Sequence, residues 1–286
     1  MVTGLQFMTE KEINNNRNSS SLDYMKLSIQ ISLNGLSFCI VDTITNTIKK
    51  ADSITFNEQL NPFQLLKEVQ SFLQKHQVTS SDFKEVIVIH RNNLFGLVPK
   101  PLFNDEELAN YLKFNVKMLA NDHIEYDELK SYDIVNVYVP FININNYLYD
   151  LYGEFEFKHH GTVLIETLLQ NNPNANTKDA ICYVYLSKNE MDIVVIQNKN
   201  LIFFNNFSYQ TKEDYIYFLL FSLEQLKLET ESTTVKLFGA VEEGDEIHHI
   251  SETYIKDVSI SIPENSSALV NTKSTETIDF TVFNAI

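Results

Sequence analysis

The chain has 286 residues, of which 44% are hydrophobic, so it is long enough for one large domain or two of ordinary size. Its net charge of −16 comes from 38 acidic and 22 basic residues, and such a field repels a polyanion. The charge therefore disfavours nucleic-acid partners. The chain has two cysteines and no Cys/His spacing typical of zinc, which favours two buried thiols over a disulfide framework.

The chain has no sequence signal for a membrane or for export. A membrane span needs about 18 consecutive apolar residues, and the nearest run, Tyr215–Leu223, is too short. Residues 1–21 contain no apolar run after a basic stretch, so no signal peptide is expected. We predict a cytoplasmic protein with no membrane span. Residues 1–24, rich in Asn and Ser, are predicted to form a flexible N-terminal arm.

The same order of elements occurs twice along the chain. In each copy, three strands are followed by a helix and an apolar strand, which predicts a duplicated β-β-β-α-β unit of the α/β class. The turns are expected at Asn34–Gly35 and at 187–189. The predicted strand triples are 27–33, 36–41 and 47–56 in the first copy, and 180–186, 191–196 and 201–207 in the second.

The first copy continues with a helix that begins after Asn61, a fitting N-cap followed by a proline. An apolar strand follows at 86–89. Residues 94–130 do not fit the β-β-β-α-β order and predict an insertion subdomain. Within it, a helix is expected from Asn104 to about Leu119 and a strand at 124–129. The stretch 133–139 is expected to return to the main sheet. Two helices, 141–152 and 162–169, then flank an edge strand at 154–157.

The second copy is predicted to begin after an Asn-rich linker at 171–178, so that the two halves are 25–172 and 173–286. Its helix is expected to start at Thr211. The remaining predictions are a strand at 234–238, a short helix at 242–252, a strand at 258–262, a loose segment at 265–277 and a final strand at 278–283.

Two β-β-β-α-β halves with an insertion in the first resemble the actin-like ATPase (ribonuclease H-like) fold of actin, Hsp70 and sugar kinases. The order and lengths are more similar to the bacterial branch that holds PilM, GspL and FtsA, over about residues 25–262. More narrowly, the chain resembles the Bacteroidetes family DUF3822, which is known for an actin-like ATPase fold and no assigned activity. The stretches that carry the resemblance are 104–113, 133–169 and 180–239.

The resemblance implies where nucleotide chemistry should be. Members that hydrolyse ATP hold phosphates with two hairpins, each carrying an Asp at the end of its first strand and a Gly two residues later. Here Ser32 and Asn34 occupy these positions in the first hairpin, and Tyr185 and Ser187 in the second. Because Mg²⁺ is commonly held through carboxylates and substrate phosphates, the usual ATPase activity is not expected.

Six residues remain as a candidate vestigial nucleotide cleft: Ser32, Asn34, Gly35, Ser187, Lys188 and Gly239. Asn-Gly is also a common two-residue hairpin turn, and a plain strand-to-helix turn explains Gly239 equally well. We therefore predict no cofactor and no metal, with Mg-ATP as the alternative ligand.

Other candidate sites are weaker. The acidic run 242–249 could gather a metal, but a solvated acidic turn is favoured. Adjacent side chains on a strand point to opposite faces, so His159–His160 and His248–His249 are not ready chelates. His90–Arg91, at a strand end, could line a ligand cleft. Asp42 and Asp192 are predicted to face solvent.

These patterns favour a non-catalytic scaffold or adaptor that acts through an unidentified protein partner. The 20 Phe and 14 Tyr fit this prediction, because aromatic residues are enriched at interfaces, although most should be core. The first alternative is a nucleotide-binding switch or divergent ATPase with degenerate phosphate loops. A second is a sugar- or phosphate-transfer enzyme with a remodelled cleft.

Overall fold

The computed structural model describes residues 24–79, 83–119, 122–129, 131–171, 179–261 and 279–286. These residues form two compact units. Unit 1 contains the described residues up to 128, then 135–163 and 279–286, whereas unit 2 contains 129–134 and 164–261. The predicted N-terminal arm up to residue 23, the linker residues 172–178 and the predicted loose segment 265–277 lie outside the described residues.

Unit 1 is built on a five-stranded sheet in the order β3-β2-β1-β4-β8. β1 is antiparallel to β2 and parallel to β4, and β4 is parallel to β8. Because β1 and β4 are covered on both faces, they are continuous runs of buried residues rather than alternating ones. The strands are β1 (Met25–Ser32), β2 (Gly35–Asp42), β3 (Thr47–Thr55), β4 (Glu85–Arg91) and β8 (Glu156–His159).

Two helices, α1 (Pro62–Lys75) and α3 (Ile142–Tyr152), cover one face of this sheet and share a core with it. The Asn61 side chain accepts hydrogen bonds from the main-chain N–H groups of Phe63 and Gln64, both at 3.0 Å, and so caps α1 as its sequence predicted. Gly153, with φ of +79°, ends α3.

The opposite face of the sheet is covered by the C-terminal helix α7 (Phe280–Asn284). The prediction of a final strand at 278–283 was wrong. The Asp279 side chain caps the helix at Thr281, and Val282 is buried against β2 and β4. A short apolar segment with alternating pattern takes the conformation that its docking surface favours, which local sequence does not encode.

Unit 1 also carries a second, three-stranded sheet in the order β5-β7-β6. The expectation that 133–139 returns to the main sheet was wrong, because β7 is the central strand of this small sheet. The predicted helix after Asn104 is shorter than expected, since α2 ends at Leu112 and Phe114 is exposed. The elements are β5 (Phe95–Pro99), 3₁₀ turns at Lys100–Leu102 and Asp105–Glu107, α2 (Leu108–Leu112), β6 (Glu125–Leu129) and β7 (Ile134–Tyr138).

Unit 2 repeats the main sheet of unit 1, with the order β11-β10-β9-β12-β13. In both sheets the strands therefore lie side by side in the same order: the third, second, first, fourth and fifth along the chain. This confirms the predicted duplicated fold. Helices α5 and α6 pack on one face. The elements are β9 (Ile181–Leu186), β10 (Glu190–Gln197), β11 (Asn200–Ser208), α5 (Lys212–Gln225), β12 (Thr234–Gly239), α6 (Glu246–Tyr254) and β13 (Asp257–Ile260). Helix α4 (His160–Gln170) begins in unit 1, to which its residues up to Val163 belong, and its remainder belongs to unit 2.

Candidate functional site

The first hairpin of the candidate nucleotide site is a turn that its own side chains hold. Ser32 ends β1 with 7% of its surface exposed, and its Oγ accepts a hydrogen bond from the main-chain N–H of Asn34 at 3.0 Å. A Cβ atom on Gly35 would lie 2.6 Å from the carbonyl oxygen of Ile54. The close approach of β3 therefore requires glycine at this position, without reference to a phosphate.

The second hairpin is held in a similar way. The main-chain N–H and the Oγ of Ser187 donate to the carbonyl oxygen of Glu190 at 2.9 and 3.1 Å. The Tyr209 hydroxyl donates to the Ser187 carbonyl at 2.8 Å. Lys188 is exposed at the tip. The polar groups of Ser187 thus stabilise the turn.

Tyr185 replaces the expected carboxylate of the second hairpin with a buried ring. Its ring stacks on that of Phe238, with centroids 5.1 Å apart and planes 18° from parallel, and only 4% of Tyr185 is exposed. Gly239, with φ of +92°, closes this packing, since a Cβ there would lie 2.2 Å from the Leu186 carbonyl oxygen and 2.8 Å from the Tyr185 ring. The positive φ, the Leu186 carbonyl oxygen and the buried Tyr185 ring together account for this glycine.

The six predicted residues form two sets, one in each unit. Ser32, Asn34 and Gly35 are consecutive parts of the β1–β2 turn. In unit 2, Gly239 is paired in register with Leu186, the residue before Ser187 and Lys188. Each set lies where the first strand of its sheet ends.

Strand ends in unit 1 bring together residues that were only weak candidates in the sequence. The register pairs Ser32 with Arg91, and His90 with His159. The ends of parallel strands are where open α/β sheets bind ligands. Here, however, Arg91 is 4% exposed, and its Nη1 lies 3.8 Å from the Asp279 carboxylate, at the start of α7. Arg91, which could have lined a ligand cleft, thus pairs with a carboxylate of the C-terminal segment.

His90 is fully buried on the other face of β4. Its Nδ1 accepts a hydrogen bond from the Phe141 main-chain N–H at 3.2 Å, and its ring packs between Phe141 and Phe157. Burial lowers the pKa of His90 from 6.5 to about 3, an effect that Asn145 partly opposes. His90 is therefore neutral and part of the core at neutral pH.

The sequence did not predict a polar network around Asp127. Asp127 Oδ2 accepts hydrogen bonds from Thr162 Oγ1 at 2.6 Å and from the His159 main-chain N–H at 2.8 Å. Its Oδ1 accepts from the Tyr138 hydroxyl at 3.1 Å. Burial raises the pKa of Asp127 from 3.8 to about 7, although these hydrogen bonds favour the charged form. Asp127 thus links β6 to β7, β8 and α4.

The tautomer of His159 follows from its partners in this network. Its Nδ1 accepts hydrogen bonds from Asn136 Nδ2 at 3.0 Å and from the Gly161 main-chain N–H at 3.2 Å. The proton is therefore on Nε2, which donates to the Asn92 carbonyl at 3.1 Å. The adjacent His160 is also buried, with its ring centroid 4.5 Å from that of His159. The histidine pair was the one local sign of this network.

Within the described part of the chain, no three His, Cys, Asp or Glu residues are placed to hold a metal ion. In the acidic run at 242–249, Asp245 has a structural role, because it accepts hydrogen bonds from the N–H groups of His248 and Glu242. The prediction that Asp192 faces solvent was wrong, since it is fully buried and accepts a hydrogen bond from Asn206 at 2.8 Å. Asp42 is partly exposed and caps the turn after β2.

Cys39 and Cys182 are free and buried, and burial raises the pKa of both thiols to about 12. Neither is therefore a nucleophile at neutral pH. Among the described helices, none has the length and apolar character that crossing a bilayer requires.

Two of the solved structures similar to this chain share its architecture. One is a Bacteroides thetaiotaomicron protein with an actin-like ATPase fold and unknown function, 23% identical, which matches 87% of this chain and 96% of its own with a TM-score of 0.76. The other is a chain of the PilM–PilN type IV pilus biogenesis complex, 10% identical, which matches 91% of this chain and 97% of its own with a TM-score of 0.58.

The sequence has no significant match among curated proteins. A family profile described as "Protein of unknown function (DUF3822)" matches residues 14–258. The chain has the fold of the actin-like ATPases, and it belongs to the DUF3822 family.

Proposed function

We propose that the chain is a cytoplasmic, non-catalytic adaptor with an actin-like fold, which acts through protein–protein contacts. One observation carries the proposal: both hairpin positions expected to hold a carboxylate have lost it. Ser32 uses its hydroxyl to hold the first turn, and Tyr185 is buried against Phe238. A metal–nucleotide complex would meet no negative charge from either residue, and phosphoryl transfer depends on such positioning.

Packing and turn geometry account for three further residues of the candidate cleft. Gly35 and Gly239 both lie where a side chain would collide with a carbonyl oxygen, and Ser187 bonds within its own turn. An adaptor that uses only the surface of this fold would need these residues for folding, and it would not need to bind a phosphate. The PilM–PilN complex is a precedent, since a chain with this fold works there within a protein assembly.

The nucleotide part of the proposal is tested by thermal unfolding of the full chain with and without about 5 mM Mg-ATP. We expect no change in melting temperature. A ligand at about 100 times its Kd would stabilise the folded state by about 2.7 kcal/mol, which corresponds to several degrees. A reproducible upward shift would favour the nucleotide-switch alternative. Phosphate release in the same samples would favour the divergent ATPase.

The adaptor part is tested by recovery of the tagged chain from its native cells after cross-linking. We expect one protein to be recovered in a fixed ratio to the chain over a range of cross-linker concentrations. An unrelated tagged protein of similar negative charge controls for non-specific capture. Recovery of the chain alone under all conditions would contradict the proposal.

A further inference from the structure

The outward face of α5 in unit 2 is aromatic. Its residues 215–221 are all apolar, so the run passes around the whole helix. Tyr217 and Phe221 are 60% and 44% exposed, and their rings stack with centroids 6.0 Å apart. Phe218 contacts Tyr217 and stacks on Phe207 of β11 at 4.9 Å. We call Phe207, Tyr217, Phe218 and Phe221 the α5 aromatic ridge.

The duplicated fold provides an internal comparison. Helix α1 has the same place in unit 1, between the third and fourth strands, and it buries a single stripe of Leu65, Val69, Phe72 and Leu73. Along the middle of α1, the outward positions are polar and exposed, among them Lys67, Glu68, Gln70 and Ser71. Covering a sheet of this kind therefore does not require outward aromatics. Within the ridge, Phe207 and Phe218 pack against the edge of the unit 2 core, whereas the exposed Tyr217 and Phe221 take no part in it. The core itself uses Tyr215, Ile216, Leu219 and Leu223 of α5.

An exposed stack of this type indicates an interface. A helix that is apolar all round is normally buried on all sides. Aromatic rings provide large contact areas at small entropic cost and are the residues on which binding energy concentrates. Tyr217 and Phe221 are four residues apart, and such i, i+4 rows pack into the grooves of another helix. The shape of the ridge thus favours a helical partner.

The negative charge around the ridge favours a basic partner over an acidic one. Glu213 lies one turn before Tyr217 and Glu224 follows Phe221 by three residues, and both are exposed. The nearby Lys212 is 3.5 Å from Glu246, which offsets its charge. A second copy of a chain with net charge −16, or an anionic lipid surface, would be repelled. A partner with Lys or Arg beside an apolar face would be attracted.

We propose that the α5 aromatic ridge binds a basic amphipathic helix of a partner protein. The apolar face of that helix would cover Tyr217 and Phe221, and its cations would lie near Glu213 and Glu224. This inference rests on the adaptor function proposed above and gives that adaptor a binding surface.

The test uses the full chain and a fluorescent amphipathic peptide of about 18 residues, or five helical turns, made of Leu on one face and Lys on the other. A matched peptide replaces every Lys with Glu. We expect the Lys peptide to bind and the Glu peptide not to bind in fluorescence anisotropy. The double variant Y217Q/F221Q should raise the Kd of the Lys peptide at least about tenfold, because both rings lie at the centre of the surface.

A matched control variant is available on α1, the helix of unit 1 that corresponds to α5. Phe63 of α1 is 79% exposed, so F63Q removes an exposed ring of the other unit and should leave the Kd unchanged. E213Q/E224Q should weaken binding most at low salt, because rim charges act through long-range attraction. A photo-reactive residue in the peptide should cross-link to residues of α5 and β11.

Three results would overturn the proposal. The first is an unchanged Kd for Y217Q/F221Q when its melting temperature equals that of the wild type. The second is cross-linking of the peptide confined to other elements. The third is evidence that the ridge binds a second copy of the chain or a lipid surface instead. The wild type would then sediment as a dimer or bind anionic vesicles, and Y217Q/F221Q would abolish that behaviour. Melting with Mg-ATP and recovery of a partner from native cells test the adaptor proposal without the peptide, so failure of the ridge is distinguishable from failure of that proposal.

Discussion

Arg91 and Asp279 form an ion pair that joins the end of β4 to the start of the C-terminal helix within unit 1, with Nη1 and Oδ2 3.8 Å apart. Gln30 of β1 donates to the same Oδ2 at 2.7 Å. The Thr281 hydroxyl bonds to both Gln30 and Asp279. A cationic strand end that could have contacted an anionic ligand instead binds a carboxylate of its own chain.

Replacement of Asp279 by Ala is expected to lower the free energy of unfolding by about 2–4 kcal/mol, because it leaves the buried Arg91 charge without this carboxylate. It also removes the cap of α7. Urea denaturation measures the change. The control is Glu231→Ala, whose carboxylate lies 3.8 Å from exposed Lys256 and should contribute less than about 1 kcal/mol. Equal losses in the two variants would contradict a structural role for the Arg91–Asp279 pair.

Gly239→Ala should be more destabilising than Gly244→Ala. Both glycines have positive φ, +92° and +86°, so both variants acquire backbone strain of about 1–3 kcal/mol. Only at Gly239 would the new Cβ also collide, with the Leu186 carbonyl oxygen and the Tyr185 ring; at Gly244 no atom lies within 4 Å of it. Chemical denaturation of both variants gives the difference. Similar losses would mean that packing against Tyr185 does not explain the glycine.

The sequence predicted those features that depend on neighbours along the chain. Asn61 and Thr211 begin α1 and α5 because their side chains bond to N–H groups two or three residues away. The absence of carboxylates at Ser32 and Tyr185 followed from the sequence only through its resemblance to the actin-like ATPases, which implies an Asp at each position. Features that depend on distant contacts were not predictable. The α7 segment is helical on a surface formed by β2 and β4, and β7 belongs to a sheet that no local pattern specifies.

The Asp127 network illustrates the same limit at the level of a candidate site. Its members come from β6, β7, β8 and α4, and the bonded pairs are 2 to 35 residues apart in the sequence, which follows no motif. In the sequence, His159 is one of an adjacent histidine pair. Its chemistry is set by Asn136 and Asn92, which fix a neutral tautomer.

Asp127 should make the protein less stable as pH rises. Its folded pKa of about 7 lies above the unfolded value of 3.8, so the folded state binds the extra proton between these limits. The stabilising contribution is full below pH 4 and is lost as pH rises through 7, at up to about 1.4 kcal/mol per pH unit. Asp127→Asn should remove this dependence. Urea denaturation of both proteins from pH 5 to 8 tests it, and parallel stability profiles would contradict the raised pKa.

His90 should have the opposite effect in acid. Its folded pKa of about 3 lies below the unfolded value of 6.5, so the unfolded state binds the extra proton between these limits. The contribution to stability is full above pH 6.5 and is lost as pH falls, again at up to about 1.4 kcal/mol per pH unit. His90→Asn keeps an acceptor for the Phe141 N–H and does not titrate. It should cost about 1–3 kcal/mol at pH 7 through lost ring packing. Denaturation at pH 7, 6 and 5 should show this difference shrinking as pH falls; a constant difference would mean that His90 does not resist protonation in the folded state.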